Sequence, residues 1–453
     1  MVVFLPSIKD IRAISAKLHA RLGDFWWYSL MLFCACRAAD LLNAFVGLWL
    51  VPKFVDPSEL GAVQPLTQFA NFLAIPVAAF ANTFRNELTR LSIGKEFGKL
   101  KTLMRGVFAA TAVFLFLAII VARFTLPIFL ERIRIVEGSL GLVIIAASFV
   151  SAVSPIYSNA LQALKKFKAQ SILSIVGAPV RLIAMLLAMP FRALTGYFVG
   201  QASVPVFNIA ASVIALRKEL SVKAEPYWTS EMFKKFSALF TLFVLMAGSG
   251  GFYGLIESTI IRQRLPDLDS AGYYMATRFS EIATYLYSAM IFAFFPFAAE
   301  LAKNAKEHSR LILKATGVNL AFCLSIAFVF CFISKPILAL LPHGDQYASY
   351  WWAIPWLITI TGITSLYGFY TTAEIAANRF RFLKWAIPLD IVYPALLLIV
   401  TGHGYIAGTI PTAWTEFLIS HNIYSLETML WWITASNTIR ACLCIVAMSR
   451  RHR

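Results

Sequence analysis

The sequence predicts an all-α integral membrane protein of about twelve transmembrane helices, arranged as two six-helix bundles related as a parallel repeat. Three observations carry that expectation: the apolar content, the alternation of positive charge between successive connections, and an internal repeat at offsets of 209 to 213 residues. Of the 453 residues, 59% are hydrophobic and 14% are charged. A soluble globule is roughly half apolar and about a quarter charged, so this composition describes a chain whose solvent is largely lipid. At about 20 apolar residues per span, the length holds about a dozen helices and leaves no room for a soluble catalytic domain.

A window scan places the spans near 29–51, 61–84, 103–123, 139–162, 169–190, 194–216, 236–261, 272–296, 311–333, 351–376, 385–401 and 428–448. The net charge of +17 would suggest nucleic acid in a soluble protein; here it is read first as topology, because short cytoplasmic loops retain Lys and Arg during insertion. With residue 1 in the cytoplasm, the inside segments hold 28 of the 40 basic residues and the outside loops hold 8. The other four, Arg37, Arg181, Arg278 and Arg440, lie within spans. Both termini are therefore expected in the cytoplasm, with no nucleic-acid partner. Residues 1–28 carry too many charges for a cleaved signal sequence. Ile8, Ile11, Ile14, Leu18 and Leu22 recur there at helical spacing, which suits either an amphipathic helix on the inner membrane face or a solvated lead-in. The first bundle then spans 29–217, a cytoplasmic linker 218–235, the second bundle 236–449 and a tail 450–453.

The repeat is visible at four places. Phe84, Glu87 and Leu88 match Phe297, Glu300 and Leu301, and Lys166-Phe167-Lys168 matches Arg379-Phe380-Arg381. Gly61 matches Gly272, and Pro127-Ile128 matches Pro336-Ile337. Each pair occupies the same place in the topology, and six spans per half is even, so the halves share one orientation.

The six cysteines lie in apolar runs without paired spacing, and the six histidines are scattered through connections. Neither set has metal-ligand spacing, so no metal and no cofactor are expected. Polar and charged residues inside spans are more informative, because a charge at mid-membrane costs about 2.5 to 3.5 kcal/mol on insertion scales. Span one carries Arg37, Asp40 and Asn43 three apart; Arg37 is either a phosphate contact through its bidentate fork or the ion-pair partner of Asp40. Span two stacks Gln64, Gln68 and Asn71, a stripe suited to sugar hydroxyls or to polar helix packing. Span eight aligns Tyr274, Arg278, Glu281 and Tyr285, and span seven offers Tyr253 and Glu257. Because spans two and eight are repeat counterparts, their polar faces are expected to meet at one central cavity. Arg181, with Ser174 and Gly177 on its face, is read either as a substrate contact or as the partner of a neighbouring carboxylate. Asp390 and Arg440 are expected to pair locally or snorkel. Substrate binding is thus assigned to Arg37, Gln64, Gln68, Asn71, Arg181, Tyr274 and Arg278. Asp40, Glu257 and Glu281 are the coupling or ion-pair candidates, for proton or sodium coupling. Gly248-Ser249-Gly250-Gly251 lacks the lysine and the strand of a phosphate loop and is read as a place for bending or close packing.

Several segments, taken in order, resemble the polysaccharide flippases of the multidrug/oligosaccharidyl-lipid/polysaccharide exporter superfamily, the group of the O-antigen and exopolysaccharide repeat-unit flippases. They are Phe54-Val55-Asp56-Pro57-Ser58-Glu59-Leu60-Gly61 before span two, Asp269-Ser270-Ala271-Gly272-Tyr273-Tyr274 opening span eight, Phe295-Pro296-Phe297-Ala298 ending it, and Gly344-Asp345-Gln346-Tyr347 before span ten. The outside segment Gly402 to Leu426 is longer than the family's usual turn, and twelve spans differ from the fourteen of lipid II flippases. The resemblance implies a non-enzymatic flippase of the bacterial cytoplasmic (inner) membrane. It would move a polyprenyl-pyrophosphate-linked oligosaccharide by alternating access, with membrane lipid, a polysaccharide polymerase and other assembly proteins as partners. A cation-coupled multidrug exporter is the alternative, and a membrane glycosyltransferase or ligase the rival from another class.

Overall fold

The computed structural model describes residues 39–135, 138–164, 166–301, 304–377, 379–400 and 425–449, and among them every regular element is helical. The lead-in 1–28, the tail 450–453 and all but the last two residues of Gly402 to Leu426 lie outside the described residues. Span one is described from residue 39, passes through a π-helical stretch at Val46–Leu50 and ends with Val51–Phe54. Spans two to six are Val63–Thr83, Phe97–Arg132, Gly138–Ala163, Phe167–Ala188 and Ala193–Ala215. Spans seven to twelve are Ser230–Arg264, Asp267–Glu300, Ala305–Ala339, Ala353–Ala376, Leu383–Val400 and Leu426–Ser449. Among the described residues seven helices are by length and hydropathy able to cross a membrane, or eight when the pair Gly344–Tyr350 and Ala353–Ala376, bent by 54°, counts as one.

Helix ends differ most from expectation in spans three, seven, eight and nine, which run 36, 35, 34 and 35 residues. At 1.5 Å per residue each is over 50 Å long, against a hydrocarbon thickness of about 30 Å. A hydropathy scan sees only the apolar middle; the polar turns beyond it continue the helix. The linker is correspondingly shorter than 218–235. A helical turn at Arg217–Leu220 leads into extended chain at 223–229, and span seven starts at Ser230. That strap lies across the first bundle: Thr102 Oγ1 donates to the Glu225 carbonyl (2.6 Å), Lys101 Nζ to that of Val222 (2.8 Å), and Tyr227 Oη to Glu87. Gly98 permits the approach, since a Cβ there would sit 2.7 Å from Glu225 Cγ.

The repeat is expressed in packing. In the first half span two packs on four, three on four and four on six; in the second, eight packs on ten, nine on ten and ten on twelve. The halves meet where span seven lies along span two and where span eight meets the short helix Pro57–Leu60. Within the unbroken helix that carries Gly248-Ser249-Gly250-Gly251, Gly251 takes part in this seam, since a Cβ there would sit 2.4 Å from Ile75 Cδ1 of span two, whereas a Cβ at Gly248 or Gly250 would meet nothing within 4 Å.

Three apolar cores set the shape. One contains residues of both halves from the end that carries the connections after spans one, three, seven and nine, among them Val55, Leu60, Ile133, Leu265, Leu338 and Tyr347. At the opposite end the cores are separate. One gathers Phe84, Leu91, Leu100, Ile156 and Leu216 of the first half with Tyr227 and Phe236, and the other gathers Phe294, Ile312, Phe369, Phe382 and Cys444 of the second. The halves share one core at the first end, the closed end, and have separate cores at the opposite end, the open end, where span seven touches both.

The basic connections fall at the open end, which the positive-inside rule expects to face the cytoplasm. Reporter fusions after Lys168, Lys235 and Arg381 are expected to read cytoplasmic, and tags within Gly402 to Leu426 external. An external signal at Lys235 would overturn this orientation.

Candidate functional site

Inside the first bundle, spans one, four, five and six surround a cavity of about 400 Å³. Span four contributes Ser151, Ser154 and Ser158, spaced three and four apart, and span six Gln201, Val204, Pro205 and Asn208 at the same period. Residues at that spacing share one face of a helix, which is why hydroxyls and amides otherwise scattered in the sequence converge. Span five adds Ser174, Gly177 and Arg181 as a third stripe, and span one adds Asn43. Gly177 lets spans five and six approach, since a Cβ there would lie 3.2 Å from Val204 Cγ1. Among the described residues no carboxylate lines the cavity, and its lining combines neutral hydrogen-bonding groups and apolar ones such as Ala39, Leu173 and Ala178 around one guanidinium.

Arg181 Nη1 donates to Asn43 Oδ1 at 2.8 Å. Among the described residues no carboxylate stands within ion-pair distance of Arg181, and its buried Nε and the buried Asn208 Oδ1 have no hydrogen-bond partner. A buried donor left unmatched costs about 1 to 3 kcal/mol, so the cavity is built to be filled by polar atoms. The expectation of a partner carboxylate for Arg181 is thus met instead by a neutral amide among the described residues.

Spans two and eight do meet. Arg278 Nη2 donates to Gln64 Oε1 across the two halves at 2.6 Å, while its Nη1 pairs with Glu281 at 2.7 Å. The guanidinium lies 4.9 Å from the centre of the Tyr274 ring, and Tyr274 Oη donates to the Gly47 carbonyl of span one at 3.3 Å. Arg181 stands within the electrostatic reach of Arg278 and Glu281, and Tyr285 within that of Glu281 and Asp40. The described cavity itself is not central: Gln64, Gln68, Asn71, Tyr274 and Arg278 do not line it. Gln68 packs against Gly254 of span seven, 3.3 Å from a Cβ there, and Asn71 is exposed on the surface of span two. Arg37 lies outside the described residues.

The second bundle holds a different cluster. Arg440 Nη2 donates to Asp390 Oδ1 at 2.6 Å, Ser249 Oγ donates to Asp390 Oδ2 at 2.9 Å, and the guanidinium lies over Tyr253 at 4.0 Å and Tyr367 at 5.6 Å. Local pairing of Asp390 with Arg440 is what the structure shows. One turn from Tyr253, Glu257 accepts from Tyr273 Oη at 3.2 Å, and its second oxygen is buried without a hydrogen bond. No group of three or more His, Cys, Asp or Glu among the described residues has the arrangement of a metal site.

Sequence reading missed Ser151, Ser154, Ser158, Gln201 and Asn208 as cavity residues. The signal was present, since polar residues recur at helical spacing in spans four and six, but each residue is uncharged and individually unremarkable in a membrane helix.

No family model matches the chain, and no curated protein matches it by sequence. Solved structures do resemble it. An inward-facing multidrug resistance MATE transporter of the MOP superfamily is similar at a TM-score of 0.69 and 12% identity, covering 91% of this chain and 94% of its own. An outward-facing MATE transporter of the same superfamily is similar at 0.61, with 12% identity and coverage of 96% and 97%. The lipid II flippase MurJ in an inward closed conformation is similar at 0.62, with 12% identity and coverage of 93% and 87%. The two-bundle membrane fold of this chain is therefore the one shared by MATE transporters of the MOP superfamily and by the lipid II flippase MurJ.

Proposed function

We propose that the chain is a flippase that carries a polyprenyl-pyrophosphate-linked oligosaccharide repeat unit from the cytoplasmic to the outer leaflet of a bacterial inner membrane, for polysaccharide biosynthesis. The observation that carries this reading is the lining of the first-bundle cavity: among the described residues, one arginine stands with serines, glutamine and asparagines and no carboxylate. A guanidinium fork matches phosphate oxygens, and neutral amides and hydroxyls match sugar hydroxyls. A cationic drug would want the opposite charge, which disfavours the multidrug-exporter reading. The repeat unit's head would enter from the open end while its polyprenyl tail stays in lipid, and the bundles would then rock about the seam. Glu257, half-buried with one enclosed oxygen that has no hydrogen-bond partner among the described residues, is the carboxylate through which proton or sodium coupling would act. A polymerase and other assembly proteins would take the glycan once it faces outward. No covalent chemistry is part of this scheme.

The test is translocation in reconstituted vesicles. A short-chain polyprenyl-pyrophosphate oligosaccharide should become accessible to an impermeant glycan-oxidising reagent at least tenfold faster with the protein than without it. A cationic dye should not be moved. Transport of the dye with no effect on the glycan lipid would sink the proposal in favour of a drug exporter.

A further inference from the structure

At the closed end one side chain joins both halves. Arg262, in the last turn of span seven, is 2% exposed. Its Nε donates to the Ile133 carbonyl at 3.1 Å and its Nη2 to the Ser58 carbonyl at 2.8 Å, both in the first half. Its Nη1 donates to Asp267 Oδ1 at 2.9 Å and to Ser270 Oγ at 3.0 Å, both in the second. All three guanidinium nitrogens are thus used, and they tie the connections after spans one, three and seven to one point.

The surroundings are shaped for that closure. Asp56 caps the helix Pro57–Leu60, accepting from the Ser58 hydroxyl at 2.6 Å and amide at 2.8 Å, and these bonds hold its carboxyl below the usual carboxylate range. That turn aims the Ser58 carbonyl at Arg262. Gly61 presses against span eight so closely that a Cβ there would lie 2.0 Å from Ser270 Oγ, so only glycine lets the two halves meet. From the first half Arg134 reaches back, donating to Asp267 Oδ1 at 2.9 Å and to the Gln263 carbonyl at 2.8 Å. Its φ of 61° is the left-handed position of a helix C-terminal turn, with Ile135 N bonded to the Leu130 carbonyl, a conformation an arginine adopts only at a cost. The Arg134–Asp267 pair is half exposed on both sides and so contributes little in water.

We infer that Arg262 is the bolt of a gate that holds this end shut. The bolt is carried by the second half and its sockets are backbone carbonyls of the first, so opening to this side requires the guanidinium to leave the Ser58 and Ile133 carbonyls. The gate is independent of what is carried: it concerns the exchange between open-end and closed-end access for any solute, and its test needs no substrate.

The test is side-specific thiol labelling in a background with the six native cysteines replaced and one cysteine introduced as Ser154→Cys in the cavity. In vesicles of known sidedness, an impermeant maleimide should react from the open-end side and hardly at all from the closed-end side. Arg262→Met keeps bulk and removes every bond; it should raise the closed-side labelling rate at least tenfold. Arg262→Lys keeps the charge without the fork and should give an intermediate rise, whereas Arg134→Ala should change the rate less than twofold. Asp267→Asn, which strips the carboxylate but leaves the carbonyl sockets, should raise it about threefold and decides the matter if Arg262→Met fails to accumulate. Closed-side rates unchanged in Arg262→Met at normal abundance, or in Asp267→Asn when that variant alone accumulates, would overturn the gate.

Discussion

An Arg181→Ala variant is expected to accumulate in the membrane at near-normal abundance and to lose glycan-lipid translocation by a factor on the order of a hundred. The size follows from the chemistry of the fork. Hydrogen bonds to charged groups are worth about 1.5 to 3 kcal/mol each, so losing two removes about 3 kcal/mol or more, and each 1.4 kcal/mol or so is a factor of ten. Abundance should hold because the partner left behind is Asn43, a neutral amide at the edge of a polar cavity, which water can satisfy. Arg181→Lys retains the charge but not two parallel donors, and should fall between the alanine variant and the parent. Both are read by translocation in vesicles with protein level as the control. Normal translocation by well-expressed Arg181→Ala would remove the phosphate contact, though not the fold. Arg37 is separated from its ion-pair reading by the double change Arg37→Ala with Asp40→Ala: rescue relative to Arg37→Ala alone means an ion pair, and no rescue means a substrate contact.

What could be read from sequence divides along a physical line. Helices, their number and the repeat were legible because lipid admits one regular element for a single chain of this kind and writes it as long apolar stretches. The approach of spans two and eight was legible in the same way: the two spans are repeat counterparts, and Gln64 and Arg278 on them are bonded at 2.6 Å. The first-bundle cavity was not, because it depends on which helices splay. Spans four, five and six open a space within the first bundle that a stripe count on spans two and eight cannot reveal. Arg262 was missed for a related reason. Counted at the edge of span seven it is one more positive charge in an outside loop, and only the fold of three separate connections brings carbonyls from Ser58 and Ile133 to its guanidinium. Arg440 and Asp390, fifty residues apart, were legible as a local pair because two opposite charges in the last two spans have few other partners within reach.

That pair gives the largest stability effect expected in the molecule. Asp390 is 4% exposed and Arg440 6%, and the guanidinium is held by the carboxylate and by the faces of Tyr253 and Tyr367 at once. Arg440→Ala removes all three contacts and strands a buried carboxylate whose one other described partner is the Ser249 hydroxyl. Breaking a buried pair from one side costs about 3 to 5 kcal/mol, so the variant should lose most of its membrane abundance and unfold at a clearly lower temperature in detergent. The cost lies in the stranded charge more than in the lost attraction, since replacing both members by apolar groups of similar volume is often neutral. Arg440→Met combined with Asp390→Leu should therefore recover most of what Arg440→Ala loses, and the excess of the double variant over the sum of the singles measures the pairing. The contrast with Arg181 is the informative part: two arginines inside the membrane, one facing a neutral amide in a cavity and one facing a carboxylate in a packed core, should fail in opposite ways, the first in transport and the second in abundance. Equal abundance and equal melting of Arg440→Ala and the parent would show that Asp390 is neutral or hydrated without its partner, and the second bundle's cluster would then belong with Glu257, the carboxylate proposed for coupling, rather than with the scaffold.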